Sequence, residues 1–359
     1  MNHPNFPEGS SPGQAAIDLS SLTFHGHGLK RPECVLAHQS GLLFTADWTG
    51  PGGVAIIDPQ SGGVHRLLAR DPHANLKPNG IWLEEGGSFL IARLDDTEGG
   101  VFRLYPDGRH EAVLTEVDGA PLPPTNFVVK DRHGRLYVTV STRAVPRHHA
   151  AKGDGGDGFI VLVPQDGPAR IVADGLGYTN ECLVSADGAH LTVNETFARV
   201  TSRYKIADDG SLSDRTILAR YGEGIYPDGL TPDQDGGLWI TSIISNTVLR
   251  LAPDGSVTTM MEDRDAERVA RVEAAYQNGA LDRALLDAPH NGPLKNVSSL
   301  AFGGKGMKTA YLGCLLGDSI ATAPSPFKGA EPCHYRMPLD PLVDAGVIPA
   351  AWASPERMS

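Results

Sequence analysis

The amino-acid sequence predicts an all-β fold, a six-bladed β-propeller with four-stranded blades and a short helical insertion between blades five and six. A β-hairpin pattern recurs six times along the 359 residues, each copy having two apolar runs around a polar glycine turn. A second hairpin follows each of the first five copies, so one repeat contains four strands. Four strands in about 40–50 residues are typical of a propeller blade, and six copies predict six blades.

The first hairpin of each predicted blade can be located directly. These hairpins occupy 34–47, 80–92, 127–139, 182–193, 229–241 and, with a weaker pattern, 299–313. The turn glycines of the first five, Gly41, Gly87, Gly134, Gly188 and Gly236, follow one another at steps of 46, 47, 54 and 48 residues. A β-sandwich is not expected to repeat so evenly, and a parallel β-helix would have a much shorter period.

The sixth repeat is the least regular, and the sequence leaves two ways to complete it. Its outer strands could come from residues 318–336 alone, or an N-terminal strand within 19–27 could join the blade. We predict one propeller domain over 18–345, a flexible N-terminal segment at 1–17 and a C-terminal tail at 346–359.

Residues 262–287 interrupt the strand pattern and predict a helix, alone or followed by a second short one. The stretch is rich in Ala, Arg, Glu and Leu, with Val269, Val272 and Tyr276 at roughly helical spacing. It connects the outer strand of blade five to the inner strand of blade six. We interpret it as a lid or a subunit contact, and an insertion without function is the alternative.

Composition and charge limit the partners. The formal net charge of −12 disfavours nucleic acid and anionic membranes. No signal peptide is visible, and no apolar run approaches the ~20 residues of a membrane span. The four cysteines are far apart and form no C-x-x-C pair, which favours reduced thiols. We therefore expect a cytoplasmic protein that acts on a small molecule, as a monomer or a homo-oligomer.

The chemistry is predicted where the innermost strands begin. In a propeller these starts converge around one mouth of the central channel. Each start carries an Asn, Asp or Glu, namely Glu33, Asn79, Asn126, Asn180, Asp228 and Asn296. Carboxylate and amide oxygens are the ligands of a hard divalent cation. Turn formation is the alternative, because Asn and Asp are common just before strands, but it gives no reason for Glu33.

We therefore predict a site for one divalent metal ion formed by Glu33, Asn126, Asn180 and Asp228. Oxygen-only ligands suit Ca²⁺ first, and Zn²⁺, Mn²⁺ or Mg²⁺ also fit if water completes the shell. The loop at 140–157 is long enough to cover the site. The candidate substrate contacts near this mouth are Asn126, Trp48, Arg93, Arg143, His148 and Asn296.

The same residues carry a resemblance to a known family. The stretches RPECV, GLLFTADW, PTNFVVKDRHGRLYVT, YTNECLVSADGAHLTVNE and YPDGLTPDQDGGLWIT resemble the SMP-30/gluconolactonase/LRE-like family over about residues 30–315. The resemblance implies a six-bladed propeller and, as in many members, a metal-dependent lactonase. It implies metal ligands at Glu33, Asn180 and Asp228, with Asn126 lining the site. Sugar-lactone members carry an arginine where this chain has Pro124, a role that Arg93 or Arg143 could fill.

The predicted reaction is the opening of a lactone ring by water that the cation activates. Asp228 is the candidate general base, and attack without a separate base is the alternative. A metal-dependent esterase or phosphotriesterase, or a non-catalytic ligand-binding propeller with a structural ion, would use the same fold. The sequence has no Walker A, G-x-G-x-x-G or G-x-S-x-G motif, so neither a nucleotide cofactor nor a serine nucleophile is expected.

Overall fold

The computed structural model describes residues 16–151 and 156–353. Its strands form six four-stranded antiparallel sheets arranged in a ring, which confirms the predicted six-bladed propeller. We call the strands of a blade A to D from the channel outwards. None of the helices in the described part of the chain is long and apolar enough to cross a membrane.

Blades one to three each use four consecutive strands. Blade one contains β2 Val35–Ala37, β3 Leu43–Asp47, β4 Gly53–Asp58 and β5 Gly63–Leu68. Blade two contains β6 Pro78–Leu83, β7 Phe89–Arg93, β8 Val101–Leu104 and β9 His110–Leu114, and the small hairpin β10 Glu116–Val117 and β11 Ala120–Pro121 follows it. Blade three contains β12 Thr125–Lys130, β13 Leu136–Val140, β14 Gly158–Val163 and β15 Arg170–Leu176.

Blades four and five repeat the same order. Blade four contains β16 Thr179–Val184, β17 His190–Glu195, β18 Val200–Ile206 and β19 Leu212–Arg220. Blade five contains β20 Ile225–Pro232, β21 Leu238–Ile244, β22 Thr247–Leu251 and β23 Val257–Glu262. The five A-to-B turn glycines that set the repeat all have positive φ, from 73° at Gly188 to 85° at Gly41, a conformation that glycine adopts without strain.

The N-terminal segment completes blade six. Its three inner strands are β24 Val297–Gly303, β25 Thr309–Cys314 and β26 Ile320–Pro324. Its outer strand is β1 Thr23–His25, which pairs antiparallel with β26. Both segments that the sequence left open therefore contribute to this blade. Joining the first strand of the fold to the last closes the ring.

The segments flanking the propeller are packed further than the sequence predicts. Ile17 is buried and donates its backbone N–H to Met260 O at 2.8 Å, although it was assigned to the flexible N-terminal segment. The described part of the predicted tail, 346–353, also packs, because Ile348 is buried in the same apolar cluster as Phe44 and Phe89 of blades one and two. Residues 1–15 and 354–359 lie outside the described residues.

The remaining helices are short. Between blades five and six lie α1 Ala266–Gln277 and α2 Arg283–Leu286, which confirms the predicted helix and the second short helix after it. The break falls near Gly279, whose φ of 63° does not continue an α-helix. Two further helices, α3 Asp340–Asp344 and α4 Ala350–Ala353, follow blade six, and 3-10 turns occur at Leu19–Ser21, Arg147–Ala150 and Lys305–Met307.

Candidate metal centre

Five side chains from successive strand A starts are buried at one mouth of the channel. Each is at most 4% exposed and leaves one oxygen without a hydrogen-bond partner among the described residues. These oxygens are Glu33 Oε2, Asn79 Oδ1, Asn126 Oδ1, Asn180 Oδ1 and Asp228 Oδ1. A buried unsatisfied acceptor costs about 1–3 kcal/mol, and five of them at corresponding positions form a donor set that a bound cation would satisfy.

An irregularity in strand A explains why these side chains leave the sheet ladder. In blades two to five, the pairing of strand A with strand B breaks around the residue that carries the unpartnered oxygen. The break directs that side chain away from the regular alternation of the strand. The breaks lie between Pro78 and Ile81, Thr125 and Phe127, Thr179 and Cys182, and Pro227 and Leu230. Blade one differs, because Glu33 precedes β2 in a tight turn in which its N–H donates to Arg31 O at 2.8 Å.

Hydrogen bonds orient two of the amide groups. Asn180 Nδ2 donates to Thr196 Oγ1 at 3.0 Å, and Asn79 Nδ2 donates to Asn126 O at 3.0 Å. Because the nitrogen of each amide is held by the protein, its oxygen is the atom left for a ligand. Such supporting contacts are typical of residues around metal ligands, where they fix the direction of the donor atom.

Side chains also connect each blade to the next at this mouth, so the ring is rigidly supported. In blade order, the contacts are Trp48 Nε1 to Pro78 O at 2.8 Å, Asn79 Nδ2 to Asn126 O at 3.0 Å, Ser141 Oγ to Thr179 O at 2.7 Å, Asn194 Nδ2 to Asp228 O at 3.0 Å, Thr241 Oγ1 to Ser298 O at 2.8 Å and Ser298 Oγ to Glu33 O at 3.3 Å. These contacts run through all six blades and fix the positions from which the ring oxygens project.

The carboxylates of the mouth repel one another. Burial raises the pKa of Asp228 well above its usual value, and the nearby carboxylates of Glu33 and Glu181 raise it further. Arg31 offsets part of this charge, since its Nη2 atom lies 2.9 Å from Glu33 Oε2. That contact lacks the angles of a hydrogen bond, which leaves Glu33 Oε2 free to accept another ligand.

The donor set fits a hard divalent cation. Glu33 and Asp228 supply two negative charges, and the asparagines supply neutral amide oxygens. Within residues 16–151 and 156–353, no three His, Cys, Asp or Glu side chains form a metal-binding cluster. A site here would therefore combine two carboxylates with amide oxygens, which suits Ca²⁺ better than a metal that prefers sulfur or imidazole ligands.

Asn296, a predicted substrate contact, is hydrogen-bonded to the helical insertion and to blade five. Its oxygen accepts from Arg268 Nη2 at 2.9 Å and from Ile244 N at 3.3 Å, and its nitrogen donates to Leu286 O at 2.9 Å. In blade six the break in strand pairing falls between Val297 and Ser299, beyond Asn296. Asn296 therefore anchors the helical insertion. The break places Ser298, rather than Asn296, at the position that the other ring residues occupy, and a substrate contact by Asn296 stays a prediction.

Two predicted arginine contacts are engaged elsewhere. Arg93 pairs with Glu98 on the same loop, and Asp95 lies 3.6 Å from its guanidinium. Arg143 binds both carboxylate oxygens of Asp174, at 2.7 and 3.0 Å. These pairs hold the loops of blades two and three, and a substrate contact by Arg93 or Arg143 stays a prediction.

Trp48 and His148, two further predicted substrate contacts, lie beside basic residues of the mouth. The guanidinium of Arg31 lies over the ring of Trp48, 5.0 Å from the ring centroid. His148 follows Arg147 in the chain, and its ring contacts His149 at a centroid distance of 4.7 Å. A substrate contact by Trp48 or His148 stays a prediction.

Three residues near the mouth were not predicted. Arg31 has a side chain only 9% exposed, Arg147 donates to the hydroxyl of Tyr178 at 3.4 Å, and Arg283 begins α2. Arg31 is the one for which a signal existed, because it stands two residues before Glu33 at the start of blade one. Arg147 lies in a long loop and Arg283 in a short helix, and at such positions the sequence does not indicate where the side chain points.

Buried contacts fix the helical insertion to the propeller. Arg199 Nη2 is 2.6 Å from Glu273 Oε2 of α1, and the Arg199 guanidinium stacks over Tyr276 at 4.2 Å. On the other side of the helix, Arg268 is 1% exposed and donates to Ile244 O at 2.6 Å. The insertion is therefore attached to blades four and five by buried ionic and polar contacts.

Comparison with known proteins agrees with this architecture. The SMP-30/Gluconolactonase/LRE-like region matches residues 31–272, and the chain therefore belongs to this family. It is 26% identical over 284 residues to the 6-deoxy-6-sulfogluconolactonase of Pseudomonas putida, which covers 78% of this chain and 81% of the relative. It is 25% identical over 280 residues to the pentonolactonase XacC of Haloferax volcanii, which covers 74% of this chain and 79% of that protein.

A solved structure shares the fold at lower sequence identity. The calcium-binding protein regucalcin from Agrobacterium tumefaciens superposes with a TM-score of 0.60 and 16% identity, over 87% of this chain and 98% of that chain. The resemblance predicted from the sequence is confirmed at the level of the family and the fold.

Proposed function

We propose that this protein is a divalent-metal-dependent hydrolase that opens the ring of a lactone. The observation that carries the proposal is the set of buried, unpartnered oxygens of Glu33, Asn126, Asn180 and Asp228 at one mouth of the channel. Family membership supports the same reaction, as do the lactonase names of two relatives. Calcium is the ion we propose first, on the oxygen-only donor set and on the description of regucalcin as calcium-binding.

A divalent cation held by these four residues would polarise the lactone carbonyl and activate water for attack. The chain itself supplies the orientation and the proton acceptor. Asp228 is the proposed general base, because its buried carboxylate faces the mouth with Oδ1 unpartnered. Its like-charged neighbours favour proton uptake and the cation opposes it, so the two influences together set its basicity.

The test is lactone hydrolysis by chelator-treated protein, with and without added Ca²⁺, against sugar, aliphatic and aromatic lactones. We expect turnover to require the metal, and Asp228→Asn and Asn180→Ala to lower kcat/KM by at least about a hundredfold. The matched control is Asp235→Asn, an exposed acid of blade five in the turn after strand A, at the opposite face. Hydrolysis that survives both the chelator and Asp228→Asn would contradict the proposal.

A further inference from the structure

Three arginines from separate segments gather beside the oxygen ring. Arg31 precedes blade one, Arg147 lies in the 3-10 turn of the loop after β13, and Arg283 begins α2 of the insertion. Arg31 Nη2 lies 2.9 Å from Glu33 Oε2, and Arg147 donates to the hydroxyl of Tyr178, two residues before Asn180. Leu286 O of α2 accepts from Asn296 Nδ2 at the start of blade six. A cluster of cations is notable in a chain whose formal net charge is −12.

The three arginines differ in whether a nearby carboxylate neutralises their positive charge. Arg31 lies beside Glu33, and Arg283 Nε donates to Asp287 Oδ2 at 2.5 Å. Arg147 hydrogen-bonds the hydroxyl of Tyr178, and no carboxylate of the described residues forms an ion pair with it. Glu33 and Asp228 influence Arg147 only from a greater distance.

A cation in the ring would increase this imbalance. Two positive charges on the ion would cancel Glu33 and Asp228, and Asp287 would cancel Arg283, which leaves the charges of Arg31 and Arg147. The Nε atom of Arg31 is also buried without a hydrogen-bond partner, while its guanidinium is held against Trp48. The side chain of Arg31 is 9% exposed, and Arg147 is half-buried. A cation in such a place without a counter-charge is costly, so an anion is the ligand that fits this part of the mouth.

We propose that Arg147 and Arg31 select a substrate that carries an anionic oxygen group, a carboxylate or a sulfonate, in addition to the bond that is hydrolysed. This inference rests on the proposed function, because it names the substrate class of the same site. Guanidinium groups suit the role, since they stay charged and donate in pairs to such oxygens. The neutral part of the substrate, with its lactone bond, would then lie over the oxygens of Glu33, Asn126, Asn180 and Asp228.

The kinetic test compares glucarolactone and a sulfonated gluconolactone with neutral gluconolactone, all with added Ca²⁺. We expect wild-type kcat/KM to favour an anionic lactone by at least about tenfold, and Arg147→Gln to remove most of that preference. Arg109→Gln, which alters an exposed arginine paired with Asp107, is the control and should keep the preference. Equal use of the neutral and anionic lactones by the wild type would overturn the inference.

A binding test separates this inference from the proposed reaction. Calorimetry with glucarate, which has no lactone bond, should show binding at least about tenfold tighter to the Ca²⁺-loaded wild type than to Arg147→Gln, with Arg147→Lys restoring part of it. Such binding without any lactone hydrolysis would refute the reaction and retain the anion site. Hydrolysis without Arg147-dependent binding would refute the anion site and retain the reaction. Thermal melting of each variant verifies that it is folded.

Discussion

Glu181, which follows Asn180 in the chain, shows how the burial of one carboxyl group makes the stability of the fold depend on pH. It is 5% exposed and accepts the backbone N–H of Leu230 at 3.0 Å. Burial raises its pKa from 4.5 to about 8, and the carboxylate of Glu33 acts in the same direction. The folded protein therefore holds this proton more tightly than the unfolded chain. The stabilisation is complete below about pH 4.5 and is lost as the pH rises through about 8.

We predict that Glu181→Gln removes this pH dependence in chelator-treated protein. Gln keeps an acceptor for Leu230 N but cannot ionise, so the variant should lose less stability than the wild type between about pH 5 and pH 9. Urea denaturation across that range measures the free energy of unfolding. Glu85→Gln, at an exposed position of blade two, should follow the wild type. Parallel curves for all three proteins would show that Glu181 is not held protonated.

At the scale of elements, the helical insertion depends on one buried ion pair. The side chains of Arg199 and Glu273 are 10% and 11% exposed, and the hydroxyl of Tyr226 also donates to Glu273. Removing the carboxylate would leave Arg199 charged and buried among aromatic rings. This pair is therefore what we expect to hold α1 over blades four and five.

We predict that Glu273→Gln lowers the free energy of unfolding by about 3 kcal/mol, because it leaves a buried cation unpaired. Amide hydrogen exchange should increase in α1 before it does in the blades. Glu267→Gln, at an exposed position of the same helix, should cost less than about 1 kcal/mol. If the two variants were equally stable, the insertion would be held by its apolar contacts and the hydrogen bonds of Arg268 and Asn296, without a contribution from this ion pair.

The sequence predicts an element well when the residues that determine it are neighbours in the chain. Turn glycines and alternating apolar residues lie within one hairpin, so the first hairpins of all six blades and the helical region were predicted correctly. The break in strand pairing that directs Asn180 or Asp228 depends on the neighbouring blade, and no local pattern marks it. For the same reason, the sequence could not show that Asn296 anchors the insertion.

The whole molecule is closed by a short pairing between its two ends. β1 covers the outer edge of β26 with three residue pairs, from Thr23 with Thr322 to His25 with Ile320. The two possibilities for blade six could not be separated by sequence, because three residues carry too little pattern to identify a strand. Without β1 the outer strand of this blade would present unpaired backbone groups.

We predict that deleting residues 1–25 lowers the melting temperature by about 5 °C or more and promotes aggregation, because β26 becomes an open edge. Deleting residues 1–22 keeps β1, and since both truncations remove Ile17, their difference isolates the contribution of the closing strand Thr23–His25. Calorimetry and light scattering measure the two effects. Identical melting of the two truncated proteins would show that β1 does not close the ring.

The most direct measurement of the central claim is anomalous diffraction from crystals soaked with Mn²⁺, a cation that oxygen ligands also bind. We expect one strong peak at the mouth of the channel, within coordination distance of Glu33, Asn180 and Asp228, that disappears in Asp228→Asn. A peak at another place, or none while these three side chains point to separate places, would contradict the metal centre and leave only the propeller.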